Sequence, residues 1–206
     1  MEVTCLTDTA ETFTANVYLV REEGETHGAT LVDAGAMSGI ASAVADHVSS
    51  LDAVVLTHRH DDHVTALDDV RAAFDPDVYA ADPADGEIGL EDGDRVRIGG
   101  DSFEAVVTPG HAPDHLAFVG DSAVFTGDVV VYSDGAFEDG SFGRTDLPGA
   151  DRETLVASLD RLLDRLPDGV REMHPGHGPS FEGDVRAVIE RTRNRAARGD
   201  PKYENG

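Results

Sequence analysis

The sequence predicts a layered α/β protein, with sheets inside and helices outside, and three observations carry that prediction. Short apolar runs bounded by Gly and Asp turns recur along the chain. One of them, DAVVLTH at 52–58, is β-branched without alternation, as in a strand buried on both faces. Stretches near the C-terminus instead space their apolar residues at helical intervals.

Taken in order, VTCL, NVYLV at 16–20 and ATLVD at 29–33 read as three strands, the last ended by an Asp33-Ala34-Gly35 turn. A helix follows over 38–50, with Ser38 as its N-cap. The strand at 52–58 empties into a group of histidines, and a second helix is expected over 63–74. VYAAD, RVRIG, FEAVVTPGH, HLAFVG and AVFTGD then form a series of short strands. The helix over 151–166 places Leu155, Leu159, Leu162, Leu163 and Leu166 on one face, a short strand lies near 170–173, and an amphipathic helix covers 184–197. No repeat or linker divides the chain, so residues 1–206 read as a single domain. Tyr203 and the RGDPKYENG tail are expected to be loosely ordered.

Composition narrows the class. Of 206 residues 40% are apolar, which fits a globular core, yet no run approaches the roughly 20 apolar residues that span a bilayer. The start, MEVTCLTDTAETF, has neither a basic nor an apolar stretch and does not read as a secretory signal, so a cytoplasmic location is expected. Asp and Glu total 41 against 16 basic residues, a formal charge of −25, and Lys202 is the single lysine. Such a surface repels nucleic acid and anionic membranes. Because the acids are spread along the chain, they read as the acidic, lysine-poor surface of a protein adapted to high salt. With Cys5 the one cysteine, neither an internal disulfide nor a cysteine-based zinc cluster can form. Any metal site must use imidazole and carboxylate.

The chain has nine histidines, and six of them fall in three short segments. Thr57-His58-Arg59-His60-Asp61-Asp62-His63 follows the buried strand, Thr108-Pro109-Gly110-His111 follows FEAVV, and His174-Pro175-Gly176-His177-Gly178 lies near the C-terminus. Between the last two, Phe125-Thr126-Gly127-Asp128 ends another strand with an acid. One PGH or TGD is an ordinary turn. Three imidazoles and a carboxylate within six residues at a strand end have little packing rationale. The inventory matches two neighbouring metal ions. We assign His58, His60 and His111 to the first and Asp62, His63 and His177 to the second, with Asp128 bridging. The all-N/O set suits Zn²⁺, Fe²⁺ or Mn²⁺ and does not by itself choose among them; zinc is the expected metal.

HxHxDH, TPGH, TGD and PGH in that order resemble the ligand motifs of the metallo-β-lactamase superfamily, from about Asn16 to His177. The resemblance implies an αββα sandwich, and it selects His177 over His174 as the last ligand. Gly140-Ser141-Phe142-Gly143-Arg144-Thr145-Asp146-Leu147-Pro148-Gly149 is similar to the GRTDLPGG segment of glyoxalase II-like hydrolases, and TPGHAPDH and TFTANVYLV agree with that branch. Asp128 agrees too, since many β-lactamases of the fold carry cysteine at that position. Glyoxalase II enzymes have a longer C-terminal region that helps bind glutathione. They also carry a lysine and a tyrosine near the segment where this chain has Arg144 and Asp146, which leaves the carrier thiol open.

The expected activity is thioester hydrolysis of a small molecule by a metal-bound hydroxide. Asp62 both ligates and orients the nucleophile. The thiolate, with a pKa near 8.5, leaves without a strong general acid. Arg144 either binds a substrate carboxylate or forms a structural ion pair. The main rival is a persulfide dioxygenase of the same fold, with one iron on His58, His111 and Asp128. A lactonase or β-lactamase-like hydrolase is a third reading, and a non-catalytic metal-binding module a fourth. His115 reads as a supporting or turn residue, and the oligomeric state stays open.

Overall fold

The computed structural model describes residues 1–8, 10 and 13–200. Tyr203 and the last six residues of the expected loose tail lie outside them. The chain forms two compact units, Met1–Glu104 and Ala105–Gly206, and the division falls inside the strand Asp101–Val107.

The first unit carries a mixed sheet in the order β1-β2-β3-β4-β5-β6. Its strands are β1 (Glu2–Cys5), β2 (Tyr18–Arg21), β3 (Ala29–Val32), β4 (Leu51–Val55), β5 (Asp77–Ala80) and β6 (Ile88–Gly89). β1, β2 and β3 pair antiparallel, and β3 to β6 run parallel. The β3–β4 and β4–β5 crossovers carry α1 (Ile40–Ala45) and α2 (Asp61–Val64) with α3 (Leu67–Phe74), respectively. Leu31, Ile40, Val44, Val54, Leu56 and Val70 pack together as its core. The predicted central strand is therefore present, flanked on both edges and almost wholly buried.

Two helices differ from the sequence expectation. The helix expected over 38–50 is only α1, and its N-cap is Gly39 at φ 90°, not Ser38, with no side-chain cap. The helix expected over 63–74 is interrupted. The carbonyl of His63, which a continuous helix would use internally, instead accepts from Ala34 and Gly35 N–H, each at 2.8 Å. Ala66 N–H in turn donates to Gly35 O. The break ties the histidine turn to the end of β3.

β7 (Arg95–Ile98) forms an antiparallel hairpin with β8 (Asp101–Val107). The second sheet runs β12-β11-β10-β9-β8-β7. In the second unit β9 (Leu116–Val119) and β10 (Ala123–Gly127) are antiparallel, and β10 and β11 (Glu172–Pro175) are parallel. β12 (Phe181–Glu182) closes the edge. The strand expected near 170–173 thus begins two residues later, which puts His174 on the strand and His177 just past its end. β6 and β12, two residues each, are too short to leave a periodic signal.

α4 (Arg152–Arg165) and α5 (Val185–Arg198) pack their apolar faces, including Leu155, Leu159, Leu162 and Val188, into one core. Both start where predicted because Asp151 and Asp184 accept from the N–H groups of Thr154 and Ala187. Among the described residues no helix is long and apolar enough to cross a membrane.

Candidate metal centre

In the first unit, β4 delivers Thr57 and His58 directly from the buried sheet, and the donors are oriented by one acid. Asp33, 1% exposed, sits just past β3 in a left-handed conformation at φ 58°, which Asp tolerates better than most residues. Its carboxylate accepts from Thr57 N–H (2.8 Å), the Thr57 hydroxyl (2.8 Å) and His63 Nδ1 (2.8 Å). Since Thr57 gives its one proton to Asp33, its oxygen accepts from His58 Nδ1 at 3.1 Å. These bonds put the ring protons of His58 and His63 on Nδ1 and leave Nε2 as the donor atom of each. His58 Nε2 lies 3.0 Å from His60 Nδ1.

The turn itself is pinned by its main chain. His63 O is held as above, and Asp62 O accepts from Ala15 N–H at 3.0 Å. Arg59, between His58 and His60, pairs with the buried Glu87 carboxylate and donates to Asp82 O.

In the second unit, three strand ends contribute one donor each. Thr108 Oγ1 and His115 Nδ1 are 2.9 Å apart, and Asp128 N–H donates to His115 Nε2 at 3.0 Å. Accepting at Nε2 leaves the His115 proton on Nδ1, so the fully buried His115 ties the TPGH turn to Asp128. Gly110, at φ 130°, leaves no space for a side chain, because a Cβ there would strike the main chain of Leu155 at the start of α4. His111 Nδ1 donates to Arg144 O at 2.9 Å, which directs Nε2 to within 3.3 Å of Asp128 Oδ2. His177 Nε2 lies 3.6 Å from the same oxygen.

These spacings fit a cation. Two donors on one tetrahedral ion at the usual 2.0–2.1 Å lie about 3.3 Å apart. The His58–His60, His111–Asp128 and His177–Asp128 separations of 3.0, 3.3 and 3.6 Å scatter around that value. Asp128 Oδ2 thus lies near two imidazole nitrogens.

His174 is used differently. It stacks on Phe125 with centroids 5.0 Å apart and shares a hydrogen bond with Ser180 Oγ at 3.1 Å. Burial pushes its pKa down to about 4, so it is neutral at physiological pH. The Arg144 side chain, half exposed, forms a bidentate pair with Asp146 at 2.9 and 2.7 Å. Sequence reasoning missed Asp33 and Thr57, although an acid ending a buried strand beside the histidine strand was a usable signal. It also missed the main chain of Gly143 and Arg144, which no residue type announces.

The sequence profile of the metallo-beta-lactamase superfamily matches residues 10–177. A Streptococcus pyogenes serotype M6 protein named Probable metallo-hydrolase is 32% identical over 191 residues, 79% of this chain and 78% of its own. Thioesterase pkgB of Emericella nidulans is 34% identical over 77% of this chain, and a hydroxyacylglutathione hydrolase of Vibrio cholerae 32% identical over 67%. The chain spans only 43% and 52% of those two relatives' own lengths. Among solved structures, ETHE1 from Myxococcus xanthus has a TM-score of 0.76 at 27% identity, covering 98% of this chain and 87% of its own. TTHA1623 in a di-iron-bound form has a TM-score of 0.67 at 32% identity, covering 93% of this chain and 98% of its own. The superfamily uses divalent metal ions, in keeping with the His and Asp donors described above. The chain belongs to the metallo-β-lactamase superfamily and has its fold, with relatives that include the glyoxalase II-like branch.

Proposed function

We propose that this metallo-hydrolase cleaves thioesters of a small-molecule substrate with two divalent ions. His58, His60 and His111 would hold the first and Asp62, His63 and His177 the second, and Asp128 would be shared between them. The approach of Asp128 Oδ2 to both the His111 and the His177 nitrogen, at 3.3 and 3.6 Å, is the observation that carries the reading. The ions, when bound, lower the pKa of water towards neutrality and polarise the substrate carbonyl.

The chain's own groups set up the reaction. Asp62 accepts a hydrogen bond from the attacking water and so orients it, while Ala15 N–H fixes the Asp62 main chain. Asp33, Thr57 and the Arg144 carbonyl hold the His63, His58 and His111 protons on Nδ1, so the imidazoles meet the cations as neutral ligands. A thiolate needs no strong acid to depart, and the thioesterase and hydroxyacylglutathione hydrolase relatives support that choice of leaving group. Arg144 offers its half-exposed fork to an anionic part of the substrate. Zinc is the first choice of metal, with iron and manganese next, and the di-iron form of TTHA1623 keeps iron in the comparison. A cytoplasmic location and a surface adapted to salt, avoiding nucleic acid and anionic membranes, complete the reading.

Metal analysis of the purified protein beside a thioester and persulfide activity panel tests it. Two ions per chain with thiol release from a thioester are expected. One iron per chain with oxygen consumption and sulfite formation overturns the hydrolase in favour of the mononuclear dioxygenase on His58, His111 and Asp128.

A further inference from the structure

We infer that the main chain of Gly143 and Arg144 is a brace that positions His111 and Asp128, and that Gly143 is a positioning residue of the centre. The inference rests on those two residues being metal ligands, as proposed above. It gives the GRTD segment a task distinct from any contact its side chains make with substrate.

The brace has two bonds. Gly143 N–H donates to Asp128 O at 2.6 Å, and Arg144 O accepts from His111 Nδ1 at 2.9 Å. One peptide segment therefore grips a carboxylate ligand by its main chain and an imidazole ligand by its ring. The carbonyl fixes the tautomer and the ring plane and makes Nε2 a better donor. The fit is close: a Cβ on Gly143 would lie 2.5 Å from His111 Nδ1 and 2.5 Å from Asp128 O. Gly143 does not have a positive φ, so the glycine is required by this approach and not by backbone conformation.

The segment is itself anchored away from the ligands. Phe142, 1% exposed, sits in the core of the second unit. Ser141 exchanges two main-chain bonds with Val131. Arg195 of α5 donates to Gly140 O and pairs with Asp139. These anchored positions all precede Gly143 and fix the chain that leads into the brace. The Arg144 side chain, turned to Asp146, takes no part in it.

The test measures Zn²⁺ affinity by competition with a chromophoric chelator, on folded full-length protein, together with the melting temperature of the zinc-free form. Gly143→Ala is expected to weaken zinc binding about 10- to 100-fold. Arg144→Ala, which keeps the carbonyl, is expected to bind zinc like the wild type. Arg195→Leu, which loosens the anchor without touching a ligand, is expected to weaken binding by a smaller factor. Wild-type affinity in a folded Gly143→Ala overturns the brace. Should that variant not fold, ¹⁵N spectra of the zinc-free wild type decide: the His111 proton is expected fixed on Nδ1, and a proton on Nε2 or averaging between the two overturns the proposal. Absence of zinc binding by the wild type would instead sink the metal reading itself, so the two failures are distinguishable.

Discussion

The two sets of candidate ligands are held by different means. In the first unit they crowd into one turn, and a single buried carboxylate, Asp33, sets the rings of His63 and, through Thr57, His58. In the second unit they are scattered over three strand ends and are set by main-chain atoms and by His115. A carboxylate that organises several donors is one point of failure. Main-chain bonds survive most side-chain changes and fail only where a new atom intrudes, as at Gly143.

That contrast is broken hardest at Asp33. Asp33→Ala deprives three buried donors at once, each worth roughly 1–3 kcal/mol when left unmatched. We expect a loss of stability on the order of 4 kcal/mol in the zinc-free protein, measured by denaturant unfolding, and zinc affinity reduced about 10- to 100-fold. Asp33→Asn keeps the acceptor oxygen and should recover part of both. Near wild-type stability in Asp33→Ala would show that the first set of ligands is as distributed as the second.

The same contrast decided what was legible in the sequence. His58, His60, Asp62 and His63 stand within six residues, so the pattern needs no fold to be recognised. His111, Asp128 and His177 are each followed or preceded by ordinary turn residues, and only their order along the chain singled them out. The β-branched strand at 52–58 was readable because burial on both faces of a sheet leaves an unbroken apolar run. The break between α2 and α3 was not, because it depends on His63 O being taken by Ala34 and Gly35, a contact distant in sequence. The brace at Gly143–Arg144 was invisible for a similar reason. Its working atoms are peptide N–H and C=O, which every residue has.

His174 and His177, three residues apart, sharpen the comparison within the second unit. His177 faces Asp128, whereas His174 is buried against Phe125 with a pKa of about 4. The folded pKa lies below the unfolded value near 6.5, so between the two the unfolded chain binds the proton and the folded one does not. Stability from this group is therefore complete above about pH 6.5 and is lost as pH falls towards 4, by about 3 kcal/mol in total. Denaturant unfolding of the zinc-free protein across that range should show the slope, and His174→Gln should flatten it. An unchanged slope in the variant would show that His174 is not the source of the acid sensitivity.

The smallest effect is expected at Arg144, where side chain and main chain of one residue are given separate tasks. Its guanidinium and the Asp146 carboxylate are 51% and 66% exposed, and exposed pairs contribute roughly 0–1 kcal/mol. Arg144→Ala should therefore leave the melting temperature within a degree or two, and zinc binding intact, because Arg144 O still accepts from His111. If the fork meets an anionic part of the substrate, KM rises about 3- to 10-fold with kcat kept, the mark of binding shared equally by ground and transition states. Asp146→Asn removes the competing carboxylate and should lower KM for the same anionic thioester. A kinetic profile unmoved by both substitutions would leave the Arg144–Asp146 pair a surface ion pair, and would assign the importance of the segment to its peptide groups alone.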